Sequence, residues 1–271
     1  MAMKFFDPPP VRYYGSKWQI AQWIVQFFPV HDCYVEPYCG GASVYFRKNP
    51  AFVDVLNDLN GDVVNFFKVL RTQTDEFIRQ IELTPFSRAE YHEAFEPCDD
   101  PMESARRFYI RAWQAFGGGG VKEKTGFRTQ KNIHRGTSVS KEWQRTRGLW
   151  LAAERLRDAI IESDDALTII KRYDTPKTLF YVDPPYVLKA RGRTLERYQH
   201  EASDVHHRQL ADALHQIEGM AAVSGYPSAL YEELYSGWRM ASRTNTTNGN
   251  SNSVECLWLS PSISNQRLQL L

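Results

Sequence analysis

The chain has only four cysteines in 271 residues, Cys33, Cys39, Cys98 and Cys256, and none forms a C-x-x-C pair. That scatter argues against a zinc site and a disulfide framework, and it points to a reducing, cytoplasmic setting. The histidines, among them His92, His134, His200, His206 and His207, show no metal-ligand spacing, so no metal is expected. No apolar run approaches the roughly 18 residues of a membrane span, and no signal peptide opens the chain, so a soluble, non-exported protein is expected. Internal repeats are absent. Net charge is nearly absent too, at +1. With 42% hydrophobic and 24% charged residues, the composition excludes a chain that is mostly disordered. The length suits one large α/β domain, or a core domain carrying an insertion.

The small net charge hides an asymmetry. Between Arg106 and Arg157, thirteen Lys and Arg stand against three acidic residues, while the rest of the chain is acidic by about nine charges. A basic middle points to a polyanion contact confined to one part of the molecule, with a solvated helical face as the plainer alternative.

Apolar residues from Trp18 to Phe28 recur at helical spacing, which predicts a helix over 16–28, ended by Pro29. Cys33–Glu36 and Phe52–Leu56 read as strands, each followed by a turn and a helical pattern, the grammar of a parallel sheet. From about Thr72 to Arg157 that grammar stops, and helices are predicted at 75–82, 87–95, 101–116 and 140–158. It resumes with strands at Ile160-Ile161, Leu179–Val182 and Ala221–Ser224, with helices near 166–171, 205–216 and 228–235. The chain closes with a predicted antiparallel hairpin, near Trp238–Ser242 and Val254–Leu259. The expectation is an α/β catalytic domain, residues 1–71 and 158–271, interrupted by a helical insertion at 72–157.

Three segments carry residues suited to chemistry. Tyr181-Val182-Asp183-Pro184-Pro185-Tyr186 leaves a strand through two prolines, each with fixed φ, so an acid, a carbonyl and an aromatic ring are held in one stiff turn. Asp183 and the Pro184 carbonyl can accept the two hydrogens of an amine on a planar ring, while Tyr186 stacks on that ring. In Val35-Glu36-Pro37-Tyr38-Cys39-Gly40-Gly41-Ala42, glycines after the first strand let a ligand approach the backbone, although the loop is not G-x-G-x-x-G. Asp58, some 20 residues on at the second strand end, is placed to grip ribose hydroxyls. Arg12-Tyr13-Tyr14-Gly15-Ser16-Lys17 puts a cation and aromatic rings before the first helix, where a plain helix cap at Ser16 is also sufficient.

In this order, the segments resemble the Dam-like family of DNA adenine-N6 methyltransferases: RYYGSK, VEPYCGGAS, LNDLN, RRFYIRAWQAF, VDPPYV, AAVSGYP and ECLWLS. The resemblance spans nearly the whole chain. It implies a Rossmann-like methyltransferase sheet, S-adenosylmethionine as cofactor and double-stranded DNA as partner. It assigns Tyr13, Lys17, Glu36, the Tyr38–Gly41 backbone (Tyr38, Cys39, Gly40, Gly41), Asp58, Asp165 and Asp183 to the cofactor, with Asp164 competing for the place of Asp165. Asp183, Pro184, Pro185 and Tyr186 become the catalytic turn. Two departures stand out, Ala42 where the family often has glycine, and Tyr14 where it tends to have a small residue or proline.

On this reading Asp183 and the Pro184 carbonyl stabilise charge developing on the amino nitrogen. The target base must be flipped out of the duplex, and Tyr186 stacking offsets part of that cost. The insertion would supply DNA contacts through Arg111, Lys122, Lys124, Arg128, Lys131 and Arg135, with Trp113 and Phe116 expected in its core. The expected activity is site-specific methylation of adenine N6 in DNA. The alternatives are cytosine-N4, adenine in RNA, or an inactive DNA-binding relative. The sequence does not give the recognition site, the oligomeric state, or whether a restriction nuclease accompanies the enzyme.

Overall fold

A computed structural model describes residues 9–121, 124–130, 138–185, 204–246 and 252–263. In chain order the elements are α1 (Ala21–Val25), β1 (Cys33–Glu36), β2 (Val53–Asn57), α2 (Gly61–Thr72), α3 (Thr74–Leu83), α4 (Arg88–Glu93), α5 (Pro101–Gln114), α6 (Val139–Trp143), α7 (Arg147–Leu156), β3 (Ala159–Glu162), α8 (Ala166–Tyr173), β4 (Thr178–Val182), α9 (Asp204–Gln216), β5 (Met220–Gly225), α10 (Ala229–Leu234), β6 (Arg239–Thr246) and β7 (Asn252–Leu259). The chain divides into two compact units. Unit 1 holds residues 1–21, 40–49 and 60–161, and unit 2 holds 22–39, 50–59 and 162–271.

The strands form a seven-stranded sheet in the order β3-β2-β1-β4-β5-β7-β6. β1 lies parallel to β2 and β4, and β4 lies parallel to β5; β7 joins β5 antiparallel and β6 closes the edge antiparallel to β7. The expected parallel sheet with a C-terminal hairpin is therefore present. β4 (TLFYV) and β5 (MAAVSG) are buried at every position, as strands covered on both faces must be. In unit 2, Val35, Val55, Phe180, Val182, Ala221 and Val223 pack with Ile169, Ile170, Leu210 and Leu214 of α8 and α9.

Unit 1 is helical, and its core is aromatic. Phe66 of α2 lies 5.2 Å from Phe108 of α5, and Tyr109 meets Trp143 at 5.4 Å between ring centroids. The helix starts follow local capping chemistry: Asn60 accepts from Asp62 N, and Asp100 accepts from Glu103 N with Pro101 at the first helical position.

Three elements differ from the sequence reading. The helix expected over 16–28 is α1 alone, because residues 13–20 form turns closed by Ser16 N to Tyr13 O and Ile20 N to Lys17 O. The helix expected over 140–158 is two, α6 and α7. The break falls at buried Thr146, whose hydroxyl bonds Glu82 Oε1 at 2.7 Å. The last hairpin is longer than expected, since pairing runs on to Thr246 opposite Asn252.

Candidate functional site

The sheet order reverses direction between β1 and β4: from β1 it proceeds through β2 to β3 on one side, and from β4 to β5 on the other. Carboxyl ends of parallel strands on either side of such a point border a crevice, the usual ligand position of open α/β sheets. Unit 2 brings Glu36 to the end of β1, Asn57 and Asp58 to the end of β2, and Asp183 one residue beyond β4. Asp183 follows the Val182–Val223 pair, so its neighbour across the sheet is Ser224 of β5. Pro184 is buried and Pro185 half-buried. Tyr186, the last residue of the expected catalytic turn, lies outside the described residues.

Glu36 is 2% exposed, and its Oε1 accepts a 2.7 Å hydrogen bond from the Tyr34 hydroxyl. Burial raises the Tyr34 phenol well above its ordinary pKa and Glu36 raises it further, so the phenol remains a donor. A carboxylate this buried is held in one place by its partner, which suits it to meet a cationic group. Behind Asp183, the Tyr181 hydroxyl shares a 2.8 Å bond with Ser224 Oγ. Burial pushes that phenol up, and the Asp183 charge adds to it.

The loop after β1 is fastened by a residue to which sequence reasoning gave no role. Asn57 Nδ2 donates to the carbonyls of Pro37 and Asp164, at 2.9 Å each, and its Oδ1 accepts from Asp164 N at 2.9 Å. Its own carbonyl accepts from Cys39 N at 2.8 Å. One fully buried side chain thus ties together the Glu36 loop and the turn before α8. The only signal in the sequence is a polar residue closing an apolar strand.

Asp165 caps α8, accepting from Leu167 N and Thr168 N, whereas Asp164 pairs with Arg172 at 2.7 Å. The competition between them therefore has a local difference: the Asp164 charge is already met by a guanidinium. Burial raises the Tyr38 phenol, and the Asp165, Tyr235 and Asp58 charges add to that effect. Burial likewise raises the Cys39 thiol, with Asp58 and Glu36 contributing, so Cys39 is a neutral packing thiol.

The remaining expected cofactor residues lie in unit 1. Tyr13 packs against the glycine pair: a Cβ on Gly40 would lie 2.9 Å from Tyr13 Cε1, and one on Gly41 would lie 2.9 Å from Tyr13 Cβ. Gly40 has φ +48 and its near neighbour Ala42 has φ +50, both in the left-handed region that disfavours a side chain. Lys17 is 7% exposed, its Nζ donating to Gly15 O at 3.0 Å. Ser16 bonds Ser43 at 2.7 Å.

The basic stretch is less uniform than its charge count. Arg106 is bound by Glu103 and Glu90, Arg107 by Glu103, and Arg111 by Asp62 at 2.6 Å. These acids all lie N-terminal to the stretch, and they neutralise the α5 arginines inside unit 1. Arg128 differs. It and Arg12 share the one carboxylate of Glu142, at 2.9 and 3.2 Å, leaving a surplus positive charge. The Arg128 Nη1 is buried and has no hydrogen-bond partner among the described residues. Arg12 stacks 4.8 Å over Trp113. Lys124 is exposed, with Nζ 5.6 Å from the Phe95 ring; Lys122, Lys131 and Arg135 lie outside the described residues. Trp113 is buried as expected, but Phe116 is 67% exposed.

Among the described residues there is no group of three or more His, Cys, Asp or Glu able to hold a metal ion, and no helix long and apolar enough to cross a membrane.

Residues 13–248 match the family model described as D12 class N6 adenine-specific DNA methyltransferase. The chain is also similar to proteins named DNA adenine methylase. It is 23% identical to that of Salmonella typhi over 237 residues, covering 83% of each chain. The corresponding figures are 22% and 83% of each for Escherichia coli K12, and 23%, 84% of this chain and 85% of the relative for Serratia marcescens.

Proposed function

The chain belongs to the D12 class of N6 adenine-specific DNA methyltransferases, and from that premise we propose that it uses S-adenosylmethionine to methylate N6 of an adenine flipped out of duplex DNA. The observation that carries this reading is Asp183, one residue past β4, on the side of the sheet reversal opposite the Glu36 loop of β1.

The donor set suits this cofactor. Within unit 2 a buried carboxylate (Glu36) matches an ammonium and strand-end Asp58 matches a ribose diol, while for Lys17 of unit 1 the resemblance implies a place near the cofactor's carboxylate. Asp165 would meet the adenine, and Tyr13 would flank the cofactor as the resemblance implies. The Tyr38, Cys39, Gly40 and Gly41 backbone would line the methionine part. When bound, S-adenosylmethionine supplies a methyl group already activated on a sulfonium.

The chain's own task is the acceptor. An adenine amino group is planar and weakly nucleophilic, because its lone pair is spread into the ring. Asp183 and the Pro184 carbonyl accept its two hydrogens, which stabilises positive charge as the nitrogen attacks and turns the lone pair out of the ring. Asp183, already accepting from that amine, takes the proton that it then sheds. The two prolines keep this geometry fixed before the base arrives. Tyr186 stacks on the extruded base.

DNA contacts fall to the helical insertion at 72–157. Arg128 and Lys124, with Lys122, Lys131 and Arg135, meet phosphates, whereas the charge of Arg111 is already met by Asp62. A DNA substrate places the reaction inside the cell.

The test is transfer of labelled methyl from S-adenosylmethionine to duplex DNA and, in parallel, to RNA, followed by nucleoside digestion. Label in N6-methyldeoxyadenosine is expected. Label in N4-methyldeoxycytidine, label in RNA only, or no transfer would each contradict the reading.

A further inference from the structure

The Tyr38 ring stands where the loop after β1 turns away from the sheet. Its backbone is pinned on both sides, by Asn57 Nδ2 to the Pro37 carbonyl and by Cys39 N to the Asn57 carbonyl. What remains free is the side chain's own rotation, and the far end of the ring is caught. The Tyr38 hydroxyl lies 2.6 Å from His206 Nε2, with the two rings edge to face at 6.1 Å.

His206 stands in the first turn of α9, and the helix is firmly seated. Leu210, Ala211 and Leu214 lie in the sheet's core, and the adjacent His207 is fully buried, its Nδ1 3.1 Å from the Tyr231 hydroxyl. His206 is thus a rigid post carried by a packed helix, and Tyr38 is a ring on a pinned loop. The bond between them spans 168 residues of sequence. Tyr38 itself is half-buried and packs against the margin of that core. What the bond fixes is the direction of the Tyr38 ring, on whose phenol the Asp165, Tyr235 and Asp58 charges bear.

We propose that His206 is a positioning residue of the methyl-donor site: by holding the Tyr38 hydroxyl it fixes that ring against the donor, before the donor binds. The inference rests on the assignment of Tyr38, Asp58 and Asp165 to S-adenosylmethionine. When Nε2 is unprotonated the phenol donates to it, so any acceptor of similar reach should substitute. The ordering cost of the ring is met in the folded protein rather than at binding, so loss of the bond should appear in donor affinity and leave the chemical step alone.

The experiment compares wild type, His206→Phe, His206→Gln, Tyr38→Phe and the double variant His206→Phe/Tyr38→Phe. Dissociation constants for S-adenosylhomocysteine come from calorimetry, and kcat is measured at saturating donor and DNA. His206→Phe and Tyr38→Phe should each weaken binding by about three- to tenfold, the worth of one neutral hydrogen bond. The double variant should be no worse than about twofold beyond either single one, since both remove the same bond. His206→Gln should recover most of the affinity, and His206→Phe should keep kcat. Tyr38→Phe removes one oxygen atom, so it reports even if His206→Phe unfolds. Unchanged affinity in either Phe variant, additive losses in the double variant, or no recovery in His206→Gln would overturn the proposal. If wild type itself binds no S-adenosylhomocysteine, the cofactor assignment fails, and the positioning role falls with it.

Discussion

Tyr13 lies flat enough on the glycine turn that a single methyl group on Gly40 would come within 2.9 Å of its Cε1 atom, with Cδ1 3.0 Å away. Contacts that short require the ring to move, and the left-handed φ of +48 adds backbone strain to any side chain there. Gly40→Ala is therefore expected to lose about 1–3 kcal/mol of stability and to weaken donor binding through the displaced Tyr13. Thermal denaturation and a donor titration check both. An unchanged melting temperature would show that the ring is free to yield.

Ala42 presents the same backbone problem with a side chain already in place: φ is 50 and the residue is fully buried. Alanine is the smallest side chain that pays this strain. Ala42→Gly should be close to neutral, since relief of strain is offset by the lost methyl burial and a freer unfolded chain. Ala42→Val adds β-branching in a region hostile to it and bulk in a closed space, and should destabilise by about 2 kcal/mol or more. Chemical denaturation of the two variants side by side gives the answer, and a stable Val variant would contradict the backbone account.

Glu103 is held by Arg106 and Arg107, and hydrogen bonds from Arg106 above all set its pKa below the usual carboxylate value. A lowered folded pKa means stability that is fully present above the unfolded value, about 4.3, and is lost as pH falls through the folded pKa. Glu103→Gln should thus be less stable than wild type at pH 7, and the gap should close as pH drops below about 4. Urea unfolding at pH 7 and at pH 3 measures both gaps; a gap that is constant across that range would remove the ion pair from the explanation.

Arg128 and Arg106 should behave differently towards DNA. Arg106 is met by two carboxylates, Glu103 and Glu90, whereas Arg128 and Arg12 together share the one carboxylate of Glu142. Arg128→Ala is expected to weaken DNA binding and lower the slope of log affinity against log salt by about one. Arg106→Ala should lower stability and leave that slope in place. Equal slopes for wild type and Arg128→Ala would remove Arg128 from the phosphate contacts.

How much of this was legible in the sequence depends on whether the deciding interaction was local. The strands were readable because Leu179–Val182 and Met220–Val223 are unbroken apolar runs of strand length, and the antiparallel end was readable from two adjacent strand patterns. The end of β6 was not, because Thr244–Thr246 is polar and pairs only through β7. The helix expected from residue 16 failed because buried Lys17 folds back on the Gly15 carbonyl, a contact that hydrophobic period does not encode. In the site, an acid after a strand and a glycine pair announce themselves. Asn57 does not, since its worth lies in three hydrogen bonds to two residues, Pro37 and Asp164, 20 and 107 positions away. The basic stretch misled in the same way: its charges were counted without Asp62, Glu90 and Glu103, which lie outside it and pair with it.

The most direct measurement is single-turnover methyl transfer by Asp183→Ala, alongside its circular dichroism spectrum and its affinity for S-adenosylhomocysteine. The account predicts a rate lower by about 10² to 10³ or more, with the fold retained and cofactor binding largely preserved. A folded, cofactor-binding Asp183→Ala protein that transfers methyl groups at the wild-type rate would contradict it.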